Sequence, residues 1–441
     1  MKITVVGAGY VGLITGVGLA VLGHSVICFD IDKKKIERIQ QGDMPIYEPD
    51  LERLVTLMGK KGRLTFTSSK REAFAHSDYI FIAVGTPSLP NGTADLTYIQ
   101  HACYDIGTYV NQDVTVITKS TVPVGTNELI KKWIYKNVCS QHQIEVASNP
   151  EFLREGSGVY DFFYGDRIVI GASSKEVADK VKGLYKKLLI KTFITDLRSA
   201  EMIKYASNAF LATKVSFINE ISNICEKTGA NIIEVAAGMG MDKRIGSSFL
   251  QAGIGYGGSC FPKDTGALVQ IAGNVAHDFK LLKAVIEVNH NQQRLLIEKA
   301  KQVIDMKGKR IVVLGASFKP NTDDIREAPS LVVIQELIKI GANVVVYDPQ
   351  ALSHLKQVFG DEIQYEAIMD EAIVGAHVAF IVTEWKSIRI YPLARYIAFM
   401  KEPILFDGRN CYTDEDVKKH KIDYYSIGRK SICNRNVSII V

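Results

Sequence analysis

Cys260 ends a stretch, Gly253-Ile254-Gly255-Tyr256-Gly257-Gly258-Ser259-Cys260-Phe261-Pro262-Lys263-Asp264, in which four of the first six residues are glycine. A thiol attacks only as the thiolate, and a nearby ammonium such as that of Lys263 favours that form. Asp264 adds a carboxylate able to move protons or hold a water. Glycines in this number cost chain entropy, so the run reads as a mobile loop that lets backbone come close to a ligand. The other cysteines are Cys28, Cys103, Cys139, Cys225, Cys411 and Cys433. Cys28 in a strand pattern and Cys225 in a helical one read as buried and inert. Lys204 and Asn208 lie four apart in a helical pattern and share a face with Ala200, Leu211 and Val215. A lysine there either snorkels to solvent or stabilises a developing oxyanion, and the residues alone leave both open.

A second chemistry lies at the N-terminus. Gly7-Ala8-Gly9-Tyr10-Val11-Gly12 follows an apolar strand pattern and opens a helical one. Gly7 permits the tight turn, Gly9 lets backbone approach a pyrophosphate, and Gly12 lets helix pack on strand. The pyrophosphate would sit at the helix N-terminus. The next strand pattern ends in Asp30, at the spacing of an acid that accepts from a ribose 2′-hydroxyl and repels a 2′-phosphate. NAD is therefore the expected cofactor, held by Gly7, Gly9, Tyr10, Val11, Gly12 and Asp30, with Lys35 beyond.

Elements must position these groups. Strand-like runs at Ile3–Val6, Val26–Asp30, Tyr79–Val84, Val114–Thr118 and Glu145–Ser148 alternate with helical runs, the rhythm of a parallel doubly wound sheet. Two more, near Ile168–Ile170 and Thr192–Ile194, extend it. Ser120-Thr121-Val122-Pro123, Asn149-Pro150-Glu151-Phe152-Leu153-Arg154-Glu155-Gly156 and Gly85-Thr86-Pro87 each follow a strand, where open α/β sheets bind ligands. From Ala200 one long helix runs to Gly229, and helices continue to about Asp305. The βαβ rhythm then restarts: Arg310–Gly315 echoes Ile3–Gly7, Asn343–Asp348 echoes Ser25–Asp30, and strands follow near Val378–Val382 and Ile404–Asp407. This half keeps Gly315 but has Ser317 and Pro320 where glycines would be wanted. The expected fold is α/β, two Rossmann-like doubly wound domains (1–196 and 306–441) joined by a central helical domain (197–305) with one long helix. After Arg429 no pattern is evident.

The 441 residues carry a net charge of +5 spread along the chain, without the basic stripe of a nucleic-acid binder. No apolar run approaches a membrane span, no secretory leader is read at Met1, and no Cys or His spacing suits a metal. An odd cysteine count without CxxC pairs fits a reducing, cytoplasmic setting.

Taken together, STVPVGT, SNPEFLREG, AEMIKYASNAF, GGSCFPKD, FKPNTDD and FDGRN resemble, in order and over nearly the whole chain, the nucleotide-sugar 6-dehydrogenases. GGSCFPKD at Gly257–Asp264 is the most specific stretch. The resemblance implies two successive NAD-dependent oxidations of a sugar C6 alcohol to the carboxylate. Cys260 would then carry thiohemiacetal and thioester intermediates, and Lys204 would stabilise the oxyanion with Asn208. Asp264 and a water would move protons, and Thr121 and Glu151 would position the hydrolytic water. It places Thr86, Thr121, Glu155, Lys263 and Arg326 on the cofactor side. It assigns Glu151, Phe152, Leu153, Lys204, Asn208, Phe249, Tyr256, Gly257, Lys319 and Arg409 to the substrate. Arg244 would reach the site of a neighbouring subunit, which implies a homodimer. UDP-glucose is the substrate favoured by Phe261 and Phe152; GDP-mannose and a UDP-N-acetylhexosamine are the alternatives. A single-step hydroxyacid or polyol dehydrogenase and a non-enzymatic NAD sensor are the rival readings of the residues.

Overall fold

The computed structural model describes residues 1–138 and 142–434; Cys139 and residues 435–441 lie outside the described residues. The chain divides into two compact units, one of Met1–Ser207 with Gly266–His277, the other of Asn208–Thr265 with Asp278 onward.

The first unit is built on eight strands: β1 (Lys2–Val6), β2 (Ser25–Phe29), β3 (Leu64–Thr67), β4 (Tyr79–Ile82), β5 (Val114–Thr118), β6 (Ile144–Ser148), β7 (Arg167–Ala172) and β8 (Lys191–Thr195). Their order in the sheet is β3-β2-β1-β4-β5-β6-β7-β8, parallel except for β6 against β7. The chain turns from one direction of growth to the other between β1 and β4, which is where such sheets take ligands. The central strands are rich in Val and Ile and almost wholly buried because helices cover both faces.

The second unit repeats the plan with β9 (Arg310–Leu314), β10 (Asn343–Tyr347), β11 (Gln364–Glu366), β12 (Val378–Ile381), β13 (Ile404–Asp407), β14 (Asp423–Tyr425) and β15 (Ile432–Cys433), ordered β11-β10-β9-β12-β13-β14-β15. Only β14 and β15 pair antiparallel. The reading from sequence did not anticipate β3, β11, β14 or β15. These are only two to four residues long, and pairing with an already formed neighbour rather than their own pattern makes them strands.

The long helix spans Leu197–Thr228. It starts three residues before Ala200 because Asp196 caps it, accepting from Ser199 N at 2.8 Å. It stops where Gly229 takes φ +81°. Helices Phe261–Asn274 and Lys280–Val303 follow.

The turn after β9 shows why the second half has lost the fingerprint. Asp348, at the end of β10, occupies the place Asp30 has in the first sheet. It is 2% exposed and accepts from Ala316 N, Ser317 N, Ser317 Oγ and Trp385 Nε1, and from Gln350 N and Ala351 N. Its acceptor sites are filled by the chain itself.

Candidate active site

In the first unit, Gly7 has φ +101°, and a Cβ there would lie 2.8 Å from Ala83 O. A Cβ on Gly12 would lie 1.7 Å from Gly7 O, whereas one on Gly9 would meet nothing within 4 Å. So the first and third glycines are demanded by the fold, and the second leaves room over the backbone. Helix Tyr10–Val21 begins at Gly9 with no side-chain cap and no acid in its first turn, leaving its N–H groups to an anion. Asp30 Oδ2 accepts from Ala8 N and Lys35 Nζ, each at 2.9 Å, and Oδ1 from Asp32 N at 3.0 Å. One of its roughly four acceptor positions is left, enough for one ribose hydroxyl. These features fit NAD. Asp30→Ala should weaken NAD+ binding about tenfold and narrow the preference over NADP+, the loss of one charge-assisted hydrogen bond. Fluorescence titration with both cofactors checks this, and an unchanged ratio of affinities would contradict it.

Tyr10 was expected at the cofactor; its hydroxyl donates to Glu48 Oε2 at 2.6 Å and to Arg154 O at 3.0 Å. Glu48 also accepts from Gly156 N and Val159 N, and burial raises its pKa. The sequence reading missed Glu48, which ties the dinucleotide helix to the segment holding Glu151, Phe152 and Glu155. Thr86 Oγ1 donates to Thr121 O at 2.8 Å, joining two of the segments that follow strands.

Lys204 is buried and donates to Glu151 Oε1 at 3.0 Å, while Glu151 Oε2 accepts from Leu153 N at 2.5 Å. The Phe152 ring has Lys204 Nζ 5.4 Å from its centroid and the Arg167 guanidinium at 4.0 Å. The snorkelling alternative for Lys204 fails, since the residue is 3% exposed. Lys119, a second buried lysine, was not singled out from sequence. Desolvation lowers its pKa to about 8, Glu151 raises it and Lys204 lowers it. A lysine directly after the Val- and Ile-rich run of β5 was the available signal.

In the second unit, Asp264 is 1% exposed. It accepts from Asn208 Nδ2 at 2.6 Å and from Lys263 Nζ at 2.5 Å. The ammonium expected to serve the thiol is thus paired with the carboxylate. Cys260 immediately precedes helix Phe261–Asn274, and Asp264 N donates to Cys260 O at 2.8 Å. The thiol therefore stands at a helix N-terminus, partly exposed.

The glycine run is not the loose loop its composition suggested. Gly253 N donates to Asn219 Oδ1, and Tyr256 N to Asn289 Oδ1. Gln292 and Gln293 donate to Gly253 O and Tyr256 O. A Cβ on Gly257 would lie 2.1 Å from Glu327 O and one on Gly258 2.7 Å from the Phe318 ring. The glycines are needed because the chain's own backbone and side chains press on the loop. Arg409 donates to Gly255 O at 3.1 Å and to Val382 O at 2.7 Å, so it braces the same loop. Lys319 Nζ lies 5.2 Å from the Phe318 ring centroid, and Arg326 is bidentate to Asp324. Phe261 packs against Tyr256 and Phe249, the latter at φ +64°. Arg244 is apart from all of these, its side chain 89% exposed and paired with Asp242.

A dinucleotide turn, a second nucleotide-type fold and a cysteine at a helix start define an NAD-binding oxidoreductase. Three family models match in order: the NAD binding domain of the UDP-glucose/GDP-mannose dehydrogenase family at residues 1–189, its central domain at 198–291 and its UDP binding domain at 312–414. The chain belongs to the UDP-glucose/GDP-mannose dehydrogenase family. It is 55% identical over 433 residues to UDP-glucose 6-dehydrogenase YwqF of Bacillus subtilis, covering 98% of each chain. It is 44% identical to UDP-glucose 6-dehydrogenase of Rhizobium meliloti, covering 97% of this chain and 100% of the relative. Among solved structures, a UDP-glucose dehydrogenase from Pyrobaculum islandicum superposes with TM-score 0.90 at 38% identity, with 96% of each chain covered. A UDP-D-ManNAc dehydrogenase from Pyrococcus horikoshii gives 0.85 at 26%, covering 98% and 100%.

Proposed function

We propose that this protein oxidises the C6 alcohol of UDP-glucose to the carboxylate, giving UDP-glucuronate with two NAD+ consumed. The observation that carries the reading is the cluster of buried Asn208 and Asp264 with half-buried Lys263, in and beside the first turn of the helix that Cys260 precedes. The relatives named as UDP-glucose 6-dehydrogenases, alike over nearly their full length, favour this sugar over GDP-mannose or an N-acetylhexosamine.

Bound NAD+ supplies the hydride acceptor for both oxidations. The chain's residues do the rest. Asp264, through a water, takes the C6 hydroxyl proton, and Lys204 and Asn208 stabilise the oxygen as charge develops. A bare aldehyde cannot give a carboxylate by hydride loss alone. The Cys260 thiolate therefore adds to it, forming a C–S bond and a thiohemiacetal. Loss of the remaining C6 hydrogen with its electron pair leaves a thioester. A water positioned by Thr121 and Glu151 attacks that carbonyl, the C–S bond breaks, and the thiolate and the carboxylic acid are released. In balance, alcohol, two NAD+ and one water give carboxylate, two NADH and three protons. The helix N-terminus favours negative charge at Cys260 in each thiolate state.

The protein works as a homodimer in this reading. Phe210, Phe217 and Ile224 are spaced at seven residues on the long helix and are 66, 50 and 56% exposed, a stripe that asks for cover. Arg244 would extend from it to the partner's site. Sedimentation at the mass of a single chain would contradict this. The six free cysteines among the described residues suit a reducing cytoplasm. No described helix is long and apolar enough to cross a membrane.

The test is a nucleotide-sugar panel with NAD+, followed at 340 nm. About two NADH per UDP-glucose without free aldehyde is expected. Turnover of GDP-mannose or a UDP-N-acetylhexosamine alone would replace the substrate, and one NADH per sugar would overturn the covalent route.

A further inference from the structure

Arg429 lies just beyond β14, is 6% exposed, and has no part in the steps above. Its Nη1 donates to Asp414 Oδ1 at 2.8 Å and to Tyr412 O at 3.1 Å. Its Nη2 donates to the Tyr424 hydroxyl at 3.1 Å and to Asn410 Oδ1 at 3.2 Å. The Tyr424 hydroxyl donates in turn to Asp407 Oδ2 at 2.7 Å. Asp407, buried at the end of β13, accepts from Arg409 N at 2.8 Å and from Cys411 N at 2.7 Å. Asn410 stands at φ +54°, a left-handed conformation that costs a side chain other than glycine some strain. Its Nδ2 donates to Ile427 O at 3.1 Å and to Ala252 O at 3.3 Å. The turn 408–411 is thus gripped through Asp407 and through Asn410, and Arg429 reaches both grips. That turn is one wall of the glycine run. Gly408 O accepts from Ile254 N at 3.1 Å, and a Cβ on Gly253 would lie 2.8 Å from the same oxygen. Arg409 adds its hydrogen bonds to Gly255 O and Val382 O. All of these residues belong to the second compact unit.

We infer that Arg429 is a positioning residue: through the turn after β13 it sets where the glycine run 253–258 stands. The consequence for the sugar rests on the activity proposed above, in which Tyr256, Gly257 and Arg409 face the nucleotide sugar. A planar guanidinium holds acceptors on two sides at fixed angles, which an ammonium on a flexible stem does not. Without it Asn410 and Tyr424 each lose a buried partner, and the left-handed turn loses a contact that offsets its strain. The loosened turn then gives up its hold on Ile254 N and Gly255 O.

The experiment is amide hydrogen exchange of the full-length protein, resolved to single residues by mass spectrometry. In Arg429→Met the exchange rate of the Ile254 amide, taken relative to the amides of β9 in the same unit, should rise about tenfold. A purely structural role would speed both together and leave the ratio unchanged. Arg429→Lys keeps the charge without the fork and serves if the methionine variant does not fold; it should raise the ratio by at least about threefold. In Arg429→Met KM for UDP-glucose should rise about tenfold while kcat changes by less than about threefold, since the loop and not the reacting groups has moved. The Kd for NAD+ should stay at the wild-type value, because the dinucleotide turn belongs to the other unit. An unchanged exchange ratio in both variants, or a raised ratio with KM unmoved, would overturn the inference. Failure of the wild type to reduce NAD+ with any nucleotide sugar would overturn the activity reading instead, and the exchange ratio would still decide whether Arg429 positions the run.

Discussion

Cys260→Ser should lower turnover of UDP-glucose to the carboxylate by on the order of 10³-fold or more. At neutral pH a few per cent of an ordinary thiol is thiolate, and a serine hydroxyl is ionised to no useful extent. The variant is slightly smaller but keeps the shape of the side chain, so the helix start and the hydrogen bond from Asp264 N to the residue-260 carbonyl should survive. NAD+ binding should be unchanged, because the dinucleotide turn belongs to the other compact unit. Rapid-quench analysis with mass spectrometry of the protein gives a second reading. The wild type should carry a sugar adduct on Cys260 during turnover, and the serine variant none. A serine enzyme with near-normal kcat and two NADH per sugar would sink the covalent mechanism and favour a hydrated aldehyde as the second substrate.

Gly12→Ala should abolish useful NAD+ affinity, raising Kd at least about 100-fold, which is roughly 3 kcal/mol. The new Cβ would be placed 1.7 Å from Gly7 O, less than half a normal contact. Relief requires the helix to move off the strand or the turn at Gly7 to open. The helix is buried from Gly12 to Ala20 without a break, so moving it disturbs the core. The turn at Gly7 is itself held against Ala83 O. A loss of thermal stability should accompany the loss of binding, on the order of 1–3 kcal/mol for an overpacked core position. By contrast Gly9→Ala, with no atom within 4 Å of its Cβ, should leave stability intact and affect only the cofactor. Differential scanning calorimetry with and without NAD+ separates the two. Equal effects of the two substitutions on stability would show that the turn is looser than described.

The strands that carry the chemistry were legible because their signal is local. Runs such as ITVV and VVVY are apolar on both faces, and a parallel strand buried on both faces has no other pattern to offer. The dinucleotide turn was legible for the same reason: three glycines and an acid at fixed spacing answer to one geometry. What could not be read is set by contacts distant in sequence. Glu48 lies 38 residues from Tyr10 and 108 from Gly156, and nothing near YEPD says that it will be buried between them. Lys119 directly follows a strand, and nothing near it in sequence says that it will be only 8% exposed. The glycine run misled in a different way. Its composition says that backbone freedom is available, and cannot say whether the fold leaves it unspent. Here Asn219, Asn289, Gln292, Gln293 and Arg409 take it up. Lys263 was legible as a partner for an anion, but not which anion.

The saturated carboxylate of Asp348 bears on kinetics at high cofactor concentration. A chain with the same sheet order twice could in principle bind the dinucleotide twice, and the second molecule would act as an inhibitor. Here a ribose hydroxyl approaching the end of β10 would have to displace the Trp385 indole or the Ser317 hydroxyl, each already in place before any ligand arrives. Saturating NAD+ should therefore meet no second dinucleotide site at that turn.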